Sequence, residues 1–148
     1  MLNELFKKIT ENVFYAKNKS VTITPSIIDE LHIIAKKHPR KRARICLHKG
    51  SDALVQEMLI VYDYGIYMKP LCQVNEKSIT YNIIEGIAEI VLFDETGEVN
   101  NTYKVGDINS GYPSIFRVPA VQLRSMVVLT ARVVFFEVAE GPFEDAMT

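Results

Sequence analysis

The chain carries almost no net charge: 17 Lys and Arg stand against 18 Asp and Glu, leaving −1. No global field therefore favours nucleic acid or an anionic membrane. Long apolar runs are also missing. The richest stretch, SMVVLTARVVFF, is interrupted by polar residues and falls short of a bilayer span. The N-terminal MLNELFKKIT lacks the roughly 7–15-residue apolar core of a secretion signal. Cysteine is scarce, with Cys46 and Cys72 in strand-like contexts and no CxxC spacing, so both read as reduced, packed thiols. A cytoplasmic location follows as the expectation. There is no Gly-rich phosphate loop, Ser-His-Asp arrangement or paired-carboxylate motif. Internal repeats and Pro/Gly-rich linkers are likewise absent, so 148 residues suggest one domain with a real core.

What is present begins with VTITPSIIDELHIIAKKHP, residues 21–39. Thr24 can cap a helix, Pro25 suits its first position, and Ile27, Ile28, Leu31 and Ile34 form one apolar face. Basic residues fill the last turn and Pro39 stops it. From Arg42 the period becomes two. ARICLH, LVQEMLIVYD, GIYMK, SITYNII, IAEIVLFD, TYKVGD, SIFRVP, SMVVL and RVVFFEVA read as short strands parted by turn signals such as KGSD, DETGE and NSGYP. An all-β barrel or double-sheet jelly roll with an N-terminal helix is predicted. Residues 1–24 are expected to form an extension and residues 25–148 the single barrel domain. The first twenty residues alternate weakly, as an edge strand or a frayed helix that packs on a partner would.

The run PRKRARICLHKGSDALVQEMLIVYDYGIYMKP, with VLFDETGEV and VVFFEVAEGPFED further on, resembles the small WbuC-type cupin proteins over about residues 25–145. The resemblance implies a cupin jelly roll, a small-molecule pocket in the barrel, a bound divalent metal and an association with bacterial surface-polysaccharide synthesis. In such proteins the ligands come from a His-x-His pair and a Glu in one motif and a His in a second. Here the first frame persists as YGIYMKPLCQ, residues 64–73, with Gly86 closing it, but Leu71 and Gln73 occupy the histidine positions. The Glu position falls on Ser78 or Ile79. The second motif, RVPAVQLRSMVV, keeps Pro119 but has Val121 at the usual glycine and Arg124 at the histidine.

Leucine has no lone pair and glutamine offers only a neutral carbonyl oxygen, weak for a transition metal. Arg124 would repel a divalent cation by about 7 kcal/mol at ~5 Å and an effective dielectric constant near 20. Of the three histidines, His32 lies on the helix, His38 beside Pro39, and only His48 on a strand. No metal and no other cofactor is expected at the old site.

Strand parity nominates what lines the barrel instead. If the old ligand positions point inward, so do Tyr67, Lys69, Leu71 and Gln73, and Arg124, Met126 and Val128. Arg42, Arg44, Cys46 and His48 share one face of their strand; Gln56, Met58, Ile60 and Tyr62 share one of the next. The candidate ligand-binding residues are Arg44, His48, Gln56, Tyr67, Lys69, Gln73, Tyr81 and Arg124. A guanidinium suits carboxylate or phosphate, so the expected ligand is an anionic small molecule, a sugar acid or a nucleotide sugar. Alternatively Arg124 pairs internally with Glu57, Glu89 or Glu137 in a satisfied core. His48 and Tyr67 are the candidate catalytic pair for a metal-independent isomerase or epimerase, against a histidine simply bonded to strand backbone. A structural or regulatory subunit is the third class. The basic run AKKHPRKRAR, six Lys or Arg within residues 36–44, comes without stacking aromatics, so it reads as a solvated end or anion-attracting rim, not a nucleic-acid surface. No membrane partner is expected. A homodimer is expected from the fold, with the N-terminal segment available for exchange between subunits.

Overall fold

The computed structural model describes residues 1–72 and 77–142. Among them, two helices and ten strands follow the order α1 (Leu2–Leu5), β1 (Phe6–Thr10), β2 (Val13–Ala16), α2 (Pro25–Lys37), β3 (Arg42–Cys46), β4 (Val55–Asp63), β5 (Ile79–Glu85), β6 (Ile87–Phe93), β7 (Val99–Gly106), β8 (Ile115–Val118), β9 (Arg124–Val128) and β10 (Arg132–Glu140). A seven-stranded sheet, β1-β2-β3-β4-β10-β5-β8, faces a three-stranded sheet, β7-β6-β9. All pairings are antiparallel except β2 with β3.

The helix forms where the sequence places it. The Thr24 hydroxyl accepts the Ile27 N–H at 3.3 Å, Pro25 opens the first turn, and Lys36 and Lys37 lie in the last. Its apolar stripe lands on the outer face of the large sheet. Ile27, Leu31 and Ala35 are fully buried against Ala43, Ile45, Leu59, Val61 and Val134. Each large aliphatic side chain so buried contributes about 1.5–3 kcal/mol. Charge fastens the same contact: Arg132 forks onto Glu85 at 2.6 and 2.9 Å and reaches Asp29 at 2.9 Å, while His32 meets Asp63 at 2.9 Å.

The weakly alternating N-terminus is a hairpin. Phe6 and Phe14 drop into the cluster beneath α2, and β2 runs parallel to β3, with Phe14 opposite Ile45 and Tyr15 opposite Cys46. The segment thus packs on its own sheet and helix.

One expected strand does not form. GIYMK, with the residues around it, is irregular from Tyr64 to Pro70, and only Leu71 pairs, as an isolated bridge to Arg124. The reason is local. Ile66 N–H bonds back to the Asp63 carbonyl to make a turn, and Pro70 has no N–H to offer a ladder. Inside, the two sheets enclose a second cluster that includes Met58, Ile60, Tyr81, Ile83, Ile90, Met126, Val128 and Phe135.

Candidate functional site

The cluster between the sheets does not fill the barrel. A cavity of about 520 Å³ remains, bounded by β2, β3, β4, β5, β9, β10 and the segment around Met68–Cys72. That lies within the ordinary range for small-molecule sites. Period-two alternation delivers its wall. Arg42, Arg44 and Cys46 come from β3, Gln56, Met58, Ile60 and Tyr62 from β4, Ile79 and Tyr81 from β5, and Glu137 from β10. Both faces whose orientation the sequence left open therefore turn inward.

Among the described residues, four arginines, Arg40, Arg42, Arg44 and Arg124, and one carboxylate, Glu137, line this cavity. Arg124 is 6% exposed, and its Nε donates to the Tyr81 hydroxyl at 3.2 Å. Among the described residues no carboxylate lies within ion-pair distance of Arg124 or Arg44. The Nε–H of Arg44 is buried with no hydrogen-bond partner among the described residues. Internal pairing in the close sense is thus not what holds Arg124. It feels Glu137 through the cavity, without contact.

The titration properties follow from that layout. Burial pushes the Glu137 carboxyl up, and the Arg124 and Arg44 charges pull it only part of the way back. Burial also raises Tyr81 to about 12, helped by Glu137 and opposed by Arg124. For Arg124 burial works against the charge, but the Tyr81 phenol and Glu137 outweigh it and keep the guanidinium above its usual value. Burial lowers Arg42, and repulsion from Arg40 and Arg44 adds to it. His48 lies below its usual value, chiefly because of burial, with Arg44 adding to the shift. It is neutral at pH 7. Its Nδ1 accepts the Glu57 N–H at 2.9 Å, so the ring proton sits on Nε2. Tyr15 packs edge-on against the ring at 5.5 Å between centroids.

Of the residues nominated from sequence, Arg44, His48, Gln56, Tyr81 and Arg124 line the cavity together. Gln56 is fully buried, and its Nε2 donates to the carbonyls of Gly50, Ser51 and Ala53 at 2.7–3.3 Å, pinning the turn before β4. Tyr67 and Lys69 do not line the cavity. Tyr67 is 84% exposed and Lys69 is also exposed, because the strand that would have turned them inward is replaced by the turn and Pro70; Met68 is the buried residue there. Gln73 lies outside the described residues. Sequence reasoning did not nominate Asn12, Tyr15 or Tyr62, and it considered Glu137 only as an ion-pair partner. The signal for Glu137 was present: Val133, Phe135, Glu137 and Ala139 alternate, and the other three are buried.

The two segments in which the WbuC-type resemblance expects metal ligands do meet. Leu71 and Arg124 stand opposite each other and exchange both backbone hydrogen bonds, at 2.7 and 2.8 Å. The frame is kept, but the side chains it presents are a hydrocarbon and a guanidinium. Among the described residues no three His, Cys, Asp or Glu side chains gather closely enough to hold an ion. The described residues do not fit a divalent metal at that point. Val121, in the second motif, has φ +60°. A valine thus adopts a left-handed conformation at the position where the WbuC-type resemblance expects glycine.

A family model described as "Domain of unknown function (DUF6016)" matches residues 23–105, more than half of the chain. No curated protein matches. Among solved structures, the chain is similar to the Cnp3 cupin domain of Schizosaccharomyces pombe, at TM-score 0.52 and 14% identity over 68% of this chain and 61% of that one. KdgF from Halomonas sp. aligns at TM-score 0.54 and 15% identity, over 76% and 89%. An HTH_3 family transcriptional regulator from Vibrio cholerae aligns at TM-score 0.51 and 12% identity, over 69% and 52%. The chain therefore spans little more than half the length of the regulator and less than two thirds of the Cnp3 domain. These likenesses identify the fold as a cupin jelly roll and go no further.

Proposed function

The chain belongs to the DUF6016 family, and from that premise we propose that its barrel binds an anionic small molecule in place of the metal usual for a cupin. The observation that carries this reading is the charge imbalance of the lumen: among the described residues four arginines face one carboxylate with no close ion pair. Arg124 is buried and Arg42 and Arg44 are half-buried; cations so placed without counter-ions are costly, and a bound anion would supply a partner. Arg40 is exposed at the rim and continues the basic end of α2, so the field leads inward from the surface. The WbuC-type resemblance suggests that the anion is sugar-derived and belongs to surface-polysaccharide synthesis, with the protein acting as a cytoplasmic homodimer.

A thermal-shift panel of sugar acids, nucleotide sugars and inorganic phosphate at constant ionic strength tests the reading. A ligand at 100 times its dissociation constant stabilises by about 2.7 kcal/mol. For a chain of this length that corresponds to roughly 5–10 °C. No shift with any anion sinks the proposal.

One observation favours a second reading, a metal-independent isomerase or epimerase. His48 is neutral, lines the cavity and has its Nδ1 fixed by Glu57, which leaves Nε2 as the proton-bearing nitrogen. With Tyr67 outside, the phenols that line the cavity are those of Tyr15, Tyr62 and Tyr81. Loss of turnover with binding retained in His48→Ala would favour it.

A further inference from the structure

The sheet register puts Glu137 in the middle of the lumen. Reading across β3, β4, β10 and β5, one inward row is Cys46, Met58, Glu137 and Tyr81; the next is Arg44, Ile60, Phe135 and Ile83. Arg124 descends from the opposite sheet onto Tyr81. The carboxylate is therefore flanked by Arg44 on one side and Arg124 on the other, and touches neither. β3 and β10 are separated by one strand and the two residues lie one inward row apart, so the Arg44 and Glu137 backbones stand about 12 Å apart. Glu137 is half-buried and lines the cavity, and among the described residues only burial and the charges of Arg124 and Arg44 act on its carboxylate, with no hydrogen bond to it.

A site made only to hold a phosphate or diphosphate gains nothing from a carboxylate among its arginines, since each further negative charge on the ligand adds repulsion. An acceptor free to take O–H bonds is useful if the ligand carries hydroxyls beside its anionic group. We propose that the cavity selects a hydroxylated monocarboxylate, a polyhydroxy acid, with Arg44 and Arg124 holding its carboxylate and Glu137 accepting its hydroxyls. This rests on the anion-binding reading above and chooses between its two ligand classes. Glu137 acts here in specificity: it rejects dianions by charge and simple fatty acids by the hydroxyl they lack.

Calorimetric titration of the full chain with gluconate, hexanoate and inorganic phosphate, at one ionic strength, tests it. Gluconate and hexanoate have the same carbon count and differ in the hydroxyls. Wild type is expected to bind gluconate at least tenfold more tightly than either of the others. Glu137→Gln should weaken gluconate and strengthen phosphate. Glu137→Asp keeps the charge but retracts it, so it should lose affinity for gluconate and still reject phosphate; it keeps the test valid if the glutamine variant folds poorly. Hexanoate binding as tightly as gluconate, or phosphate binding more tightly in wild type, overturns the selection while leaving the anion reading standing. Binding of none of the three to wild type overturns both.

Discussion

Replacing Arg124 by methionine should move stability and binding in opposite directions. The side chain is 6% exposed, has a single hydrogen bond, to Tyr81 at 3.2 Å, and has no carboxylate within ion-pair distance among the described residues. Exchanging buried charge for an apolar side chain of similar volume is neutral to stabilising by about 1–4 kcal/mol. The lost hydrogen bond takes back about 1 kcal/mol, because the Tyr81 hydroxyl still borders a cavity wide enough for water. Arg124→Met is therefore expected to gain roughly 0–3 kcal/mol, a rise in Tm of up to about 10 °C for a chain of this length. Affinity for the anion should fall by about 2–5 kcal/mol, since one member of a buried charge contact is removed. Differential scanning calorimetry gives the first quantity and anion titration the second. A variant that melts well below wild type and binds anions unchanged would refute the reasoning, since Arg124 would then be a structural residue.

Three further outcomes are expected. Burial raises the Glu137 carboxyl in the fold, so the native state holds its proton to higher pH than the unfolded chain; wild type loses stability as pH rises from the ordinary glutamate value near ~4 through the raised one. Glu137→Gln should lack that downward slope, which paired thermal melts across acidic to neutral pH would reveal. Val121→Gly relieves a left-handed valine worth about 1–2 kcal/mol but adds about 0.5–1 kcal/mol of unfolded-state freedom, so a net gain of roughly 0.5–1 kcal/mol is expected in denaturant unfolding. Gly86→Ala does the reverse: at φ +93° its Cβ would stand 2.3 Å from the Arg132 carbonyl oxygen, and a loss of about 3 kcal/mol or more should appear in the same assay.

The β-rich architecture was legible because alternation is a local signal. Thr24, Pro25 and the stripe from Ile27 marked α2, and eight of the nine proposed strands are found. GIYMK failed because its pattern matched a strand while Pro70 and the turn at Asp63 denied it hydrogen-bonding partners. Tyr67 and Lys69 were misplaced for that reason alone. Arg124 and His48 were legible from the resemblance, whereas Arg42 and Arg44 needed the sheet order to turn their face inward. The pairing of β2 with β3, which brings Asn12 and Tyr15 to the cavity, is a non-local choice made by Phe6 and Phe14 burying beneath α2. Glu137 was readable as inward from parity, but its separation from Arg44 and Arg124 depends on which strands are neighbours.

Anion binding by the Arg44 and Arg124 guanidiniums can be observed directly at their Nε–H groups. We would record arginine side-chain Nε–Hε correlation spectra while titrating gluconate and, separately, phosphate, assigning Arg44 and Arg124 with Arg→Met variants. The Arg44 Nε–H is buried without a partner among the described residues, so a bound anion should shift its resonance, and that of Arg124, saturably and with one affinity. If both signals stay fixed while either anion is raised to high millimolar concentration, the lumen is a self-contained core and the anion-binding account is wrong.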